Sequence, residues 1–408
     1  MSTKSGLVLA ATVLAAVLTG LPNAHAAIFE PLGDLPGGVF ASSAAGISAD
    51  GSVVTGYGFN ASGPEAFRWT REGGLVGLGS LPGGSGLSIP SAISADGMTI
   101  VGYSDSASRD KAFRWTRTDG IVDLGDLPGG RVRSYALGTS ANGSVVVGWS
   151  DGASGAQAFR WTNSGGMVAL EGLPGNSVSG RSDFAFATSA DGSVIVGRSD
   201  TTRREAFLWK MDDGAISLDP HGDSFESEAE AVSPDGSVVV GYRIGHSSPR
   251  EAFRWTSAEG MVGLGALGSA FVQSDALATS ADGSVVVGTG FTASGTEAFV
   301  WTKTGGMQTL RSYLAKFGID TTGWTIFAAN GVSADGNTFV ASGLNPQGQS
   351  EGFIASVRPI QEPSTLALVV GGCGLLVGRR WFGNRVDSAA GYNPRGPSWV
   401  RSGAIASL

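Results

Sequence analysis

The pentapeptide GWSDG, Gly148 to Gly152, has the G-x-S-x-G spacing of a nucleophilic serine. That chemistry requires a strand, a sharp turn and then a helix, so that the hydroxyl stands exposed. Here a polar loop and another apolar run follow, and the equivalent places in the chain read GYSDS and GRSDT. Ser150 therefore reads as part of a strand. GYGFNA (Gly56 to Ala61) and GTGFTA (Gly288 to Ala293) match G-x-G-x-x-A, but neither opens a helix in a βαβ unit, as a dinucleotide site must. His221 stands between Asp219 and Asp223, in DPHGD, and His246 lies alone. One imidazole and two carboxylates without a second motif fall short of a metal-ligand pattern. The aspartates of the recurring SADG text are followed by glycine and then apolar residues, not by the alternating oxygen donors of a calcium loop, so they read as turn formers. Glu228, Glu230 and Asp183 interrupt stretches otherwise made of small residues; a glycan hydrolase would need such carboxylates paired in one pocket. No catalytic residue, metal or cofactor is expected.

What would position such groups is a repeat. Asp-Gly or Asn-Gly recurs at Asp50, Asp96, Asn142, Asp191, Asp235, Asp282 and Asp335, at intervals of 46, 46, 49, 44, 47 and 53 residues. Behind each comes an aromatic block: FRWT at Phe67, Phe113, Phe159 and Phe253, FLWK at Phe207, FVWT at Phe299 and FIAS at Phe353. A period of 40 to 50 residues signals a propeller or a solenoid. The third copy divides into four short strands, Ser134 to Ser140, Ser144 to Ser150, Ala156 to Thr162 and Met167 to Leu173, separated by ANG, a polar loop and NSGG. β-Branched and aromatic runs bounded by Gly, Asn and Asp argue strands, and Asn-Gly supplies the positive φ angles of tight hairpins.

Seven copies of four strands predict an all-β, seven-bladed β-propeller, with a linear β-solenoid as the alternative. The small-residue strand before each Asp-Gly suits the crowded inner position, and the bulky aromatic strand suits a place further out. The ends favour a ring. The seventh copy has three strands and no fourth, while AIFEPLGDLPGG (Ala27 to Gly38) resembles fourth-strand text with nothing before it. An N-terminal strand completing the last blade would remove the exposed edge. Before the last blade, LRSYLAKFGIDTTGWT (Leu310 to Thr325) places Leu310, Leu314 and Phe317 at i, i+4 and i+7, which predicts a short helix on one end of the ring.

The repeated text ISADGSVVVGY…EAFRWT…GMVxLGxLPGG, over about Ile28 to Val357, resembles the bacterial extracellular HAF-repeat family. The resemblance implies an exported repeat protein and brings no established activity.

The termini read as addresses. Lys4, the apolar stretch Gly6 to Gly20 and the small residues of AHA (Ala24 to Ala26) make residues 1–26 a signal peptide, cut after Ala26. The propeller then covers 27–359. Residues 360–381 hold Glu362-Pro363, an apolar run and Arg379-Arg380, which is similar to a PEP-CTERM sorting signal with Gln361 in place of the first proline. The resemblance implies a membrane-associated intermediate and an exosortase-type sorting protease. Residues 382–408 form a basic tail, expected to be disordered.

The formal charge of the 408-residue chain is −8, and no basic stripe offers the electrostatic footprint of nucleic-acid binding. A single cysteine, Cys373, excludes an internal disulfide framework. In a four-stranded blade, the loop between strands two and three shares one side of the ring with the link to the next blade. That side carries the variable text, with Arg109, Arg131, Arg203, Arg204 and Arg250; the other carries the nearly constant Asp-Gly and Gly-Gly turns. The expectation is an exported, monomeric and non-enzymatic binding or structural module of the envelope or exopolysaccharide matrix. Its ligand would be an anionic polysaccharide or an envelope component. A carbohydrate-active enzyme is the alternative.

Overall fold

The computed structural model describes residues 27–174, 182–200, 203–246, 249–268, 273–293 and 295–357. The leader, Glu362, Pro363, Arg379, Arg380 and the basic tail lie outside the described residues. Contacts divide the chain into residues 1–360 and 361–408, and only the first unit is described below. No helix among the described residues is long and apolar enough to cross a membrane.

Seven four-stranded antiparallel sheets form the fold. The first element among the described residues is β1 (Ile28–Pro31). Blade 1 is β2 (Gly37–Ile47), β3 (Val53–Asn60), β4 (Gly63–Thr70) and β5 (Gly74–Gly77); blade 2 is β6 (Ser88–Ile93), β7 (Thr99–Ser104), β8 (Lys111–Thr116) and β9 (Gly120–Asp123). Blade 3 is β10 (Gly129–Thr139), β11 (Val145–Gly152), β12 (Gly155–Thr162) and β13 (Gly166–Ala169); blade 4 is β14 (Ser182–Thr188), β15 (Val194–Asp200), β16 (Arg204–Lys210) and β17 (Gly214–Ser217). Blade 5 is β18 (Ser224–Val232), β19 (Val238–Gly245), β20 (Arg250–Thr256) and β21 (Gly260–Gly263); blade 6 is β22 (Ser274–Thr279), β23 (Val285–Thr292), β24 (Gly295–Thr302) and β25 (Gly306–Thr309). After helix α1 (Leu310–Ala315) come β26 (Thr325–Val332), β27 (Thr338–Leu344) and β28 (Ser350–Ser356).

The seventh sheet has the order β1-β28-β27-β26, so the N-terminal strand is its outer strand. Ile28 pairs with Ser356 and Pro31 with Phe353. Phe29 packs its ring 4.7 Å from Phe353 and 5.3 Å from Trp324. The inner strand of each blade adjoins that of the next, and β2 adjoins β26, which closes the circle. The chain is a seven-bladed propeller, and the solenoid is excluded by this closure.

Each blade repeats one packing unit. Phe67, Phe113, Phe159, Phe207, Phe253, Phe299 and Phe353, from the third strands, are all fully buried. The Asp-Gly turns repeat a polar clasp: Ser48 Oγ donates to Asp50 Oδ1 and accepts from Val53 N–H, and the same bonds recur at Ser189 and Asp191. Hydrogen bonds from the carboxylate's serine neighbours hold Asp191 down to about 2. The turns also join one another around the ring. Ala49 N–H donates to Ala95 C=O, Ala141 to Ala190, Ala190 to Pro234, Ala281 to Ala334, and Ala334 back to Ala49. At blade 5 the donor position is Pro234, which has no N–H to give.

Three elements differ from expectation: the first strand of blade 3, expected from Ser134, already begins at Gly129, and two others depart further along. The fourth strand of blade 3 spans Gly166–Ala169 only, shorter than the run to Leu173. Helix α1 buries Leu310 and Leu314 between blades 6 and 7, but it ends at Ala315 and leaves Phe317 exposed against Tyr313. Phe317 follows the C-cap Lys316, so the i+7 position of the apolar pattern falls outside the helix.

Closure gives a direct prediction. Phe29→Ala removes an aromatic shared with Trp324 and Phe353 and is expected to cost about 2 kcal/mol, less than a fully buried phenylalanine would. Deleting residues 27–34 should lower the melting temperature further and promote aggregation through the bared β28 edge. Wild-type melting and solubility of that deletion would contradict closure by β1.

Candidate functional site

A bulge built into every blade creates the variable positions. Pairing of strands one and two skips a residue between Ala44 and Gly46, Pro90 and Ala92, Ala136 and Gly138, Ala185 and Ala187, Ala229 and Ala231, Ala276 and Ala278, and Ala329 and Gly331. The strands approach so closely beside the bulge that a Cβ on Gly148 would stand 1.9 Å from Tyr135 C=O, which explains the glycine of the recurring VVG text. The residue after that glycine, or after Ala341 in blade 7, pairs with a residue of the inner strand. These cross-strand pairs are Ser43–Tyr57, Ile89–Tyr103, Tyr135–Trp149, Phe184–Arg198, Glu228–Tyr242, Asp275–Thr289 and Ala328–Ser342. They form one belt around the ring, beside bulge residues that vary with them, from Ala45 and Ser91 to Phe186, Glu230 and Asn330.

The belt is divided chemically. Blades 2 to 4 carry aromatic rings in series: Tyr103 lies 4.6 Å from Tyr135, Tyr135 stacks 4.6 Å from Trp149, and Trp149 meets Phe184 edge-on at 5.5 Å. All four are half-buried. The Arg133 guanidinium lies 4.9 Å from the Trp149 ring and 5.5 Å from Tyr135, and Arg198 lies 4.5 Å from Phe184. These distances are those of cation–π contacts. Tyr135 Oη donates to Asp110.

Blades 4 to 6 carry charge. Arg198 Nη1 donates to Glu228 Oε2 at 2.6 Å, and Tyr242 Oη donates to Glu226 at 2.8 Å. Arg204 pairs with Glu226 at 3.1 Å, and Arg250 pairs with Asp275 across the boundary of blades 5 and 6 while covering the Tyr242 ring at 3.4 Å. Glu230 is the bulge residue of blade 5 and is half-buried beside Glu228. Burial first, then the neighbouring Glu228 and Asp275 carboxylates, push its carboxyl well above the usual range. Burial also acts to raise Glu226, but hydrogen bonds from Tyr242 and Arg204 prevail and lower it.

The five arginines expected on the variable side separate into two groups. Loop 2–3 and the blade link do share that side: a Cβ on Gly129 of the link would stand 2.9 Å from Ala153 of the loop. Arg203 donates to Ser224 C=O and pairs with Glu205 at 3.3 Å, while Arg204 and Arg250 are tied to Glu226 and Asp275. These three staple the scaffold. Arg109 and Arg131 are exposed and form no ion pair among the described residues. Arg131 lines a cleft of about 560 Å³ with Arg133, Asp151 and the glycines 129, 130, 152 and 155.

The remaining candidates resolve as structure. Ser150 is buried in β11, accepts from Leu127 N–H at 3.1 Å and donates to Arg133 C=O. His221 and His246 are exposed, and Asp219 accepts the backbone N–H groups of Asp223 and Ser224. Asp183 accepts from Ser199 at 2.6 Å, whereas Glu228 and Glu230 do adjoin. In the FRW blocks, Arg114 and Arg254 donate to Gly143 and Gly283 C=O of the following blade, each at 3.1 Å.

No sequence-family model matches the chain, and no curated protein matches it in sequence. Among solved structures, oligogalacturonate lyase from Vibrio parahaemolyticus is 11% identical with a TM-score of 0.51, covering 84% of this chain and 93% of its own. The β-propeller domain of the trilobed protease from Pyrococcus furiosus, described as having an open velcro topology, is 11% identical with a TM-score of 0.48, over 79% of this chain and 100% of its own. TolB from Acinetobacter baumannii is 12% identical with a TM-score of 0.42, over 86% and 69%. At such identities the likeness concerns the fold alone.

Glu230 makes the charged half testable. Its native carboxyl holds a proton more tightly than the unfolded chain does, so the native state loses stability as pH rises above the usual glutamate value of 4.5 through the raised native value. Glu230→Gln should therefore melt above wild type at pH 8, with the gap closing toward pH 4. A gap independent of pH would contradict the raised carboxyl.

Proposed function

We propose that this propeller is an exported, non-enzymatic binding module of the cell envelope or exopolysaccharide matrix that takes its ligand on the variable-loop side of the ring. The carrying observation is the belt. The repeated frame presents one cross-strand pair per blade that changes in chemistry; blades 1 to 5 each carry an aromatic ring there, and the rings of blades 2 to 4 touch in series. A rigid scaffold bearing variable positions is the usual arrangement for recognition. Half-buried aromatic rings beside arginines and carboxylates suit carbohydrate, whose C–H faces meet rings and whose hydroxyls meet charged groups.

One observation favours catalysis: Glu228 and Glu230 adjoin, as a carbohydrate-active enzyme would require. Against it, Glu228 is tied to Arg198 and lies 3.3 Å from Tyr242 Oη, and Asp275 is tied to Arg250. Carboxylates engaged in this way act as links between blades. The leader and the Glu362-Pro363 and Arg379-Arg380 features support export with a sorted C-terminal segment.

A glycan panel separates the readings. The account expects retention of at least one acidic glycan and no turnover of any. Turnover abolished by Glu228→Gln would establish the enzyme instead. Mass spectrometry of the protein from its native host should find neither residues 1–26 nor the residues after the sorting segment; an intact Leu408 would oppose sorting.

A further inference from the structure

The inner strand of blade 3 is unlike most others in the ring. β10 pairs Gly129 with Gly152 and then Ser134 with Ser150, so four residues, Gly130 to Arg133, stand opposite Asp151 alone. A bulge of this size arches the strand away from its partner. Gly130 lies against its partner so tightly that a Cβ there would be 2.2 Å from Asp151 C=O. The remainder of the arch is Arg131, Val132 and Arg133. Blade 1 has the same geometry, with Gly37 paired to Asn60 and Ser42 to Gly58, but its arch reads Val39, Phe40 and Ala41. Only in blade 3, of these two, does the arch carry cations.

The arch joins two features. Arg131 and Arg133 both line the cleft of about 560 Å³, together with Asp151 and the glycines 129, 130, 152 and 155. Arg133 also rests on Tyr135 and Trp149, which continue the aromatic series toward Tyr103 and Phe184. Neither arginine forms an ion pair among the described residues, in contrast to Arg204 and Arg250. Asp151, at the cleft wall, provides an acceptor for hydroxyl groups.

We propose that this cleft is a subsite for a uronic acid residue of an acidic polysaccharide. Arg131 and Arg133 bind the sugar carboxylate, Asp151 accepts from a hydroxyl, and the side-chain-free glycines of the lining let the pyranose ring approach the backbone. The cation–π contact with Trp149 and Tyr135 holds Arg133 in place before the ligand arrives, which lowers the ordering cost of binding. This assignment rests on the carbohydrate-binding reading above and names its site and ligand class. The chain as a whole is acidic, at −8, so the attraction is local to the arch and should weaken with salt.

The test measures binding of the full-length chain to alginate, a polyuronate, with dextran as a neutral control, at low and moderate salt. Wild type should bind alginate in preference to dextran and lose affinity as salt rises. Arg131→Ser with Arg133→Ser should weaken alginate binding about tenfold or more, the scale of losing charge-assisted hydrogen bonds. Arg204→Ser, which removes a scaffold ion pair, should leave binding unchanged. Trp149→Phe should retain a ring under Arg133 and most of the affinity, whereas Trp149→Ala, checked for wild-type melting, should weaken it. Alginate binding that survives the double arginine variant would overturn this subsite while leaving the carbohydrate-binding reading intact. Wild-type binding that favours dextran would overturn the uronate class, and retention of no glycan at all would overturn both.

Discussion

The structure depends on closure of the ring by β1. A propeller blade is a sheet with two apolar faces, and each face is covered only by its neighbours. In a closed ring, every blade has a neighbour on both sides. Here the outer strand of blade 7 comes from the other end of the chain, in register from Ile28 opposite Ser356 to Pro31 opposite Phe353. The join is reinforced at several depths. Arg71 of blade 1 pairs with Glu30 of β1 at 3.0 Å, the Ser43 and Ser342 hydroxyls share a hydrogen bond at 2.9 Å, and Ala334 N–H donates to Ala49 C=O. Seven fully buried phenylalanines depend on that closure. Each contributes about 2–3 kcal/mol of transfer free energy while its neighbours stay in place.

Closure also determines where variation is tolerated. The Asp-Gly turns bond to one another around the ring, so their backbone must superpose from blade to blade, and their text hardly changes. Among the described residues, the loops of the opposite side are not joined into such a ring of backbone bonds, and there the sequence differs. The recurring bulge of the inner strands links the two regimes. It favours the VVG glycine of blades 1 to 6, replaced in blade 7 by Ala341, and beside it presents a cross-strand pair that is free to differ. Aromatic pairs gather over blades 2 to 4 and charged pairs over blades 4 to 6. The latter bridge the junction where Pro234 leaves out an inter-blade hydrogen bond, so side-chain links from Arg250 to Asp275 hold blades that lack the backbone one.

The sequence carried the architecture because every blade repeats its own evidence. Period, turn residues and the orphan N-terminal strand were legible without any structure. The short helix was legible at Leu310 and Leu314 but not at its end, since apolar periodicity runs on past a C-cap. The candidate site was only partly legible. Arg131 was visible as a loop cation, but Arg203, Arg204 and Arg250 looked equivalent to it. Their neutralisation by Glu205, Glu226 and Asp275 depends on register within and between blades, which the repeat text does not encode. Glu228 and Glu230 stood out as carboxylates among small residues, whereas the partners of Glu228 sit on two other strands, Tyr242 on β19 of the same blade and Arg198 on β15 of the preceding one. The signal for the belt was present all along: the residue after the VVG glycine is Tyr57, Tyr103, Trp149, Arg198, Tyr242 or Thr289 in otherwise constant text. It reads as ordinary strand until pairing shows that these residues share one level.

Hydrogen exchange of the full-length chain with and without alginate tests the central claim, that ligand is taken on the variable side of the ring at blade 3. The account predicts slowed exchange in the arch from Gly129 to Ser134 and in the β11–β12 turn from Asp151 to Gly155, with the Asp-Gly and Asn-Gly turns unchanged. Slowed exchange at those turns, such as Ser140 to Ser144, with none in the arch of a ligand-saturated sample, would contradict it.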